Sequence, residues 1–191
     1  MTDELLARCA AVATSTWSDA LDRFAMPGAI TGLALRSGAG RVCGIAVTVK
    51  EHVGELGDCE ADAFAVGRFL DAISAGSILV VAMGGAAVST FGGLAARAAV
   101  LAGLSGAVID GGCRDIAEVR ASGLWLSSRH VTPVSGRGRV KVEGINVPVS
   151  ACGVSVIPGD TIIGDETGIV CIGAGRLPDV LAVAEELTAQ D

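Results

Sequence analysis

The chain has 191 residues and a mass of 19.0 kDa, a light average residue that reflects 27 glycines and a heavy alanine load. Its 51% hydrophobic fraction, 18% charged fraction and mean hydropathy of +0.59 exclude a disordered chain or a coiled coil, and point to apolar surface buried between subunits. With 21 acidic against 14 basic side chains the net charge is -7; no Lys/Arg run and only four Phe, two Trp and no Tyr are available, so nucleic acid is excluded as a direct partner.

The opening MTDELLARCA is acidic and lacks the positive region of a signal peptide, and every apolar run is broken by Gly, Ser or charge within about ten residues, too short to span a bilayer. A cytoplasmic protein without membrane contact is the expectation. Cysteines 9, 43, 59, 113, 152 and 171 form no C-x-x-C pair, and most sit in apolar runs, which predicts buried neutral thiols.

In chain order, Leu5, Leu6 and Cys9 share a helical face, and a second helix opening at Ser18 carries Ala20, Leu21 and Phe24 until Pro27 and Gly28 end it. RVCGIAVTVKEH reads as a strand with Lys50, Glu51 and His52 at its exit. Residues 58–70 have helical spacing through Ala61, Phe64, Ala65 and Phe69. ILVVAM, the glycines around MGGAAVSTFGG, the alanine-rich helix to Gly103 and GAVIDGG together make a βαβ crossover whose second strand ends at Asp110. A short helix over 115–122 and a strand at 124–126 follow. From Thr132 the chain becomes a β-rich meander, with turns at Pro158-Gly159-Asp160 and at 165–168 flanking IIG and IVCI, before an amphipathic helix after Pro178. A single domain over residues 1–191 with a mixed sheet and helices on its faces is the predicted architecture.

Ligands of open α/β sheets bind beyond the carboxyl ends of strands, and GAVID discharges into Gly111-Gly112-Cys113-Arg114-Asp115-Ile116-Ala117-Glu118. Asp115 and Glu118, three apart at a helix start, can share a divalent cation, and Arg114 offers a fork for a carboxylate or an enolate oxygen. The same residues also read as a capped helix, with Asp115 as N-cap, Glu118 as capping-box partner and Arg114 in a surface ion pair. Gly84, Gly85, Gly92 and Gly93 predict an amide nest for a small carboxylate, with Ser89 and Thr90 as auxiliary donors. Neither a dinucleotide fingerprint nor a phosphate loop is present. His52, His130 and Cys113 are weaker candidates for acid/base or thiol chemistry, and Asp160 and Asp165 read as turn residues.

The segments GGLAARAAVLAGLSGAVIDGGCRDIAE, DALDRFAMPGAI and GINVPVSACGVSVIPGDTIIGDETGIVCI resemble the family of the regulator of ribonuclease activity A and the metal-dependent 4-hydroxy-4-methyl-2-oxoglutarate and 4-carboxy-4-hydroxy-2-oxoadipate aldolases. The resemblance implies an α/β swivelling β/β/α domain with a mixed central sheet, flanking helices and a β-rich C-terminal segment, assembled as a homotrimer or dimer of trimers with sites at subunit boundaries. It implies Mg²⁺ or Mn²⁺ held by Asp115 and Glu118, catalysis by Arg114 and Asp115, and a substrate carboxylate received by Gly84, Gly85, Ala86, Ala87 and Arg114. The implied activity is a lyase acting on a small 2-oxo or hydroxy acid through a pyruvate enolate, as an aldolase or an oxaloacetate decarboxylase. The alternatives are a non-catalytic regulator of the ribonuclease-regulator type and a divergent lyase or hydratase. The family's aldolases carry an Asp in the pattern D-x20-R-D where this chain has Gly93, and an acidic residue in a C-terminal extension, for which Glu185 and Glu186 are the nearest replacements.

Overall fold

The computed structural model describes residues 2–190. Helices α1 (Asp3–Ala11) and α2 (Thr14–Arg23) lead to strands β1 (Ala29–Ile30), β2 (Ala34–Ser37) and the long β3 (Val42–Val53). The middle of the chain is α3 (Val66–Leu70), β4 (Ile78–Ala82), β5 (Ser89–Phe91), α4 (Gly93–Leu101), β6 (Gly106–Cys113), α5 (Ile116–Ser122) and β7 (Trp125–Val131). Strand β8 (Val140–Ile145), the hairpin β9 (Val149–Ala151) and β10 (Val154–Val156), the pair β11 (Thr161–Gly164) and β12 (Ile169–Ile172), and α6 (Leu177–Gln190) complete it.

Four parallel strands, β3, β4, β6 and β7, form the centre, with α3, α4 and α5 in the connections between successive strands. The sheet continues antiparallel through β11, β12 and β1 beyond β3, and through β2 beyond β7, while β8 pairs with the outer half of β3. This is the mixed α/β architecture with flanking helices that the sequence predicts. The period of two along β3 sends Val47 and Val49 into a core with Phe69, Ala95, Ala96, Ala99 and Val119 of the three crossover helices. Ala46 lies on the opposite face with Val80, Val108 and the β9–β10 hairpin. A third core joins Trp17, Leu21, Val180 and Leu181 of the N- and C-terminal helices to Ile163, Val170 and Ile172.

Several boundaries differ from the sequence reading, each for a tertiary reason. α2 starts at Thr14 rather than Ser18, because Asp165 accepts hydrogen bonds from Thr14 N (3.0 Å) and Thr14 Oγ1 (2.6 Å) and so caps the helix from the β11–β12 turn. Only the last five residues of the predicted 58–70 helix are helical. The earlier part is held in an irregular path: Asp58 Oδ2 accepts from Glu55 N, Gly57 N and Cys59 N donate to Gly138 O, and Ala63 O accepts from Val142 N. β6 runs past Asp110 to Cys113, since β5 pairs with its end and Thr132 N continues the ladder onto Cys113 O. Among the described residues no helix is long and apolar enough to cross a membrane, and all six cysteines are free.

Candidate active site

The end of β6 delivers Arg114 and Asp115 to the carboxyl edge of the parallel strands, with Arg114 N donating to Phe91 O of β5 (2.9 Å). Asp115 occupies the left-handed region (φ 52°, ψ 45°), which a non-glycine residue adopts only against a local energy cost. It stands at the N-cap position of α5 but makes no side-chain cap there, so the predicted capping box with Glu118 does not form. The twist instead turns its carboxylate back toward α4: Oδ2 accepts from Gly93 N (3.3 Å) and lies 3.4 Å from Arg114 Nε. Both side chains remain half exposed.

The glycines before α4 are required by this arrangement. A Cβ on Gly92 would lie 2.6 Å from Asp115 Oδ2, and one on Gly93 would lie 2.6 Å from Glu118 Cβ. The space that a side chain at position 93 would fill is thus taken by the stem of Glu118, reaching over from α5. Asp115 and Glu118 converge on the start of α4, and among the described residues Asp115 Oδ1 and the Glu118 carboxylate have no protein hydrogen-bond partner. No group of three or more His, Cys, Asp or Glu gathers as a metal cage among the described residues. Two carboxylates suit Mg²⁺ or Mn²⁺, hard cations that keep several waters and share the rest of their shell with substrate.

Two small clefts open on this pair. One, of about 190 Å³, is walled by Phe64, Thr90, Gly92, Leu94, Arg114 and Asp115; the other, of about 360 Å³, by Arg114, Asp115, Ile116, Val131, Thr132 and Pro133. In the glycine turn at 84–87, predicted as an amide nest, two of the four amides are engaged within the fold. Gly85 N donates to Asp110 O and Ala86 N to Met83 O, and His130 Nε2 lies 3.0 Å from Gly85 O, so the turn is fastened internally. Gly84 and Ala86 line a separate hollow of about 910 Å³ with Lys50, Glu51, His52 and Glu143. Beside Arg114, the first turn of α4 presents the amides of Leu94 and Ala95, which lack a partner within the helix.

Other candidates fall into structural roles. Cys113 is fully buried against Ser128 (3.3 Å), and burial pushes its thiol up, which argues against a thiolate. Asp110 is buried in an ion pair with Arg129 (2.8 Å) and accepts from Cys152 N (2.8 Å), pinning β7 and the β9–β10 hairpin to β6. Ser89 donates to Phe91 O rather than to an incoming anion. Glu185 is held by Arg8 through two bonds (2.8 and 2.7 Å) and Glu186 accepts from Gln190. Asp160 and Asp165 both stabilise turns through main-chain amides.

One residue that sequence reasoning passed over is Glu51. It is 6% exposed, accepts from Thr90 Oγ1 at 2.8 Å through Oε1, and leaves Oε2 without a partner among the described residues. Burial pushes its carboxyl up to about 7, with the Thr90 bond pulling the other way. A count by two from Val47 and Val49 marks it as inward facing, the signal that could have found it.

Residues 14–171 match the RraA-like family, described as Aldolase/RraA. An uncharacterised protein of Methanocaldococcus jannaschii is 33% identical over 151 residues, 78% of this chain and 69% of its own length. A 4-hydroxy-4-methyl-2-oxoglutarate aldolase of Thermus thermophilus is 33% identical over 108 residues, 56% of this chain, and the matched stretch spans 65% of that protein. The fold is shared with a Streptomyces coelicolor member of the RNase ES inhibitor RraA protein family, at a TM-score of 0.89 and 23% identity over 100% of this chain and 94% of that one. With the family match extending over most of its length, the chain belongs to the RraA-like, Aldolase/RraA family.

Proposed function

We propose that the protein is a divalent-metal-dependent carbon–carbon lyase that acts on a small 2-oxo acid through a pyruvate enolate, as a 4-hydroxy-2-oxo acid aldolase or an oxaloacetate decarboxylase. The observation that carries this reading is the left-handed Asp115, whose carboxylate turns toward the start of α4 beside Arg114 in a cleft at the ends of parallel strands. Asp115 and Glu118 would hold Mg²⁺ or Mn²⁺. When bound, the cation would act as a Lewis acid on the 2-oxo group.

The chain's own groups account for holding the substrate carboxylate and stabilising the developing oxyanion. Leu94 and Ala95 N–H at the α4 N-terminus receive the substrate carboxylate, where the helix dipole favours an anion. Arg114 places its guanidinium against the oxygen on which negative charge develops, a stabilisation that counts most in the transition state. An amine route has poor support: Lys50 and Lys141 are the only lysines, and Lys50 is paired with Glu143 at 2.9 Å. Leu94 and Leu101, 85% and 89% exposed on the outer face of α4, give the protein an apolar face beside the cleft. They support assembly as a homotrimer or dimer of trimers, and sedimentation equilibrium showing a 19.0 kDa monomer at micromolar concentration would remove that part of the reading.

The deciding experiment offers oxaloacetate and a panel of 4-hydroxy-2-oxo acids to the purified protein with Mn²⁺ and follows pyruvate with a coupled dehydrogenase. Arg114→Ala is expected to raise the barrier by about 2 to 4 kcal/mol. Calorimetric titration should show Mn²⁺ binding that Asp115→Asn weakens strongly. A rate no higher than the metal-only background, unchanged in Arg114→Ala, would reject the lyase and favour the non-catalytic regulator.

A further inference from the structure

We propose that Glu51 is the proton reservoir of the site, reaching the Arg114–Asp115 cleft through the hydroxyl of Thr90, which is the atom that meets the substrate. The proposal rests on the lyase reading above and assigns the proton donor which that reading leaves open. Thr90 is buried and walls the small cleft together with Arg114 and Asp115. Glu51 stands behind it, with its Oε1 2.8 Å from Thr90 Oγ1, and itself lines the wide hollow whose mouth carries the exposed Lys50 and His52. The Glu51–Thr90 pair therefore stands between two openings.

A buried carboxyl with one oxygen lacking any partner is costly to retain in a core, and it is tolerated when that oxygen carries the proton. Among the described residues no salt bridge keeps it ionised. On its own strand Lys50 and His52 are exposed, with Lys50 engaged by Glu143. On β8, Lys141 and Glu143 are exposed to either side of Val142, the residue in register with Glu51. The loop after β4 contributes Met83, Gly84 and Ala86, and β5 contributes Thr90, beyond which lie Arg114 and Asp115. Burial is accordingly what raises the carboxyl to about 7, and both protonation states are accessible near neutrality.

The hydrogen bond has a different sense in the two states. Ionised Glu51 accepts the Thr90 hydrogen. Protonated Glu51 donates to Thr90 Oγ1 instead and releases the threonine hydrogen toward the cleft. Loss of carbon dioxide from the β-carboxylate of a 2-oxo acid breaks a carbon–carbon bond and leaves its electron pair in the enolate. The enolate carbon takes the hydrogen of Thr90, whose O–H electron pair stays on Oγ1, and that oxygen takes the Glu51 proton. Glu51 is left as the carboxylate, and one proton from water in the wide hollow restores it.

The pH dependence of oxaloacetate decarboxylation with Mn²⁺ tests the relay. Wild-type kcat should fall as pH rises through about 7. Glu51→Gln and Thr90→Val should lose that limb and run on the order of a hundredfold slower below it, whereas Thr90→Ser, which keeps the hydroxyl, should retain it. A limb that persists in Glu51→Gln, or a Thr90→Ser protein that behaves like Thr90→Val, overturns the relay and leaves the lyase standing. Infrared titration without metal or substrate gives an independent readout. A protonated-carboxyl band should vanish over the same pH range, be missing from Glu51→Gln and shift in Thr90→Val; its absence from the wild type overturns the proposal whatever the activity. A wild type that shows the band but releases no pyruvate overturns the lyase reading itself, and the relay with it.

Discussion

Replacing Glu51 by Gln should make the protein relatively more stable as pH rises, the opposite of what loss of a buried hydrogen-bonded residue usually does. In the native state the carboxyl titrates near 7, against an ordinary value of 4.5. Between those values the unfolded chain has already lost the proton that the native chain still holds. Unfolding then releases a proton, and wild-type stability falls as pH rises through this window. The displacement from 4.5 to about 7 corresponds to roughly 3 kcal/mol, most of it expressed between pH 5 and pH 8. Above about pH 8 both states are ionised and the difference is constant.

Glutamine has nearly the same shape and keeps a carbonyl for Thr90. The cost of burying its amide group does not depend on pH, so it cancels when each protein is compared with itself. Urea unfolding at fixed protein concentration, at pH 5 and again at pH 8, should therefore show wild type losing on the order of 2 to 3 kcal/mol relative to Glu51→Gln across the interval. Parallel stability curves for the two proteins would mean that Glu51 is ionised in the native state, and the reasoning from its burial would be wrong.

The parts of the fold legible in the sequence are those whose determinants are local. The β4–α4–β6 unit announces itself through an apolar run, a glycine turn, an alanine-rich helix and a second apolar run, and the parallel register of Ile78–Ala82 on Gly106–Asp110 follows. Arg114 and Asp115 were legible for the same reason, as the polar residues into which β6 empties. What stayed hidden depends on distant partners. Nothing near Thr14 marks a helix start, because its cap lies 151 residues away in Asp165. The 84–87 turn reads as four amides open to an anion, but the carbonyls of Asp110 and Met83 take two of them, those of Gly85 and Ala86. Glu51 reads as one of three polar residues leaving a strand, and only the parity of β3 together with the burial contributed by β5 and β8 separates it from Lys50 and His52. Gly93 reads as a lost carboxylate, yet in three dimensions its place is filled by Glu118.

Two further predictions follow from contacts that cross between elements. Asp165→Ala removes an acceptor for Thr14, Thr167 and Gly168 and should destabilise the fold by on the order of 2 to 3 kcal/mol in thermal or urea unfolding. Burial pushes the Asp165 carboxyl up, but the hydrogen bonds from Thr14, Thr167 and Gly168 outweigh it and hold it below the ordinary range, so this contribution is present above the unfolded value and fades as pH falls through the lower native one. An Asp165→Ala protein as stable as wild type at neutral pH would show that α2 does not depend on this cap. At the site, Gly93→Ala should cost about 1 to 3 kcal/mol, since its new Cβ would sit 2.6 Å from Glu118 Cβ, an atom at the base of its side chain that cannot swing aside. Deleting that atom as well, in Glu118→Gly, should make the alanine at 93 nearly harmless, and a double-mutant cycle should return a coupling of about 1 to 3 kcal/mol. Strict additivity would show that α4 and α5 separate freely at this point. In that case the Glu118 stem would not be what excludes a side chain at position 93, and Gly93→Asp would become an accessible route to a third carboxylate beside Asp115.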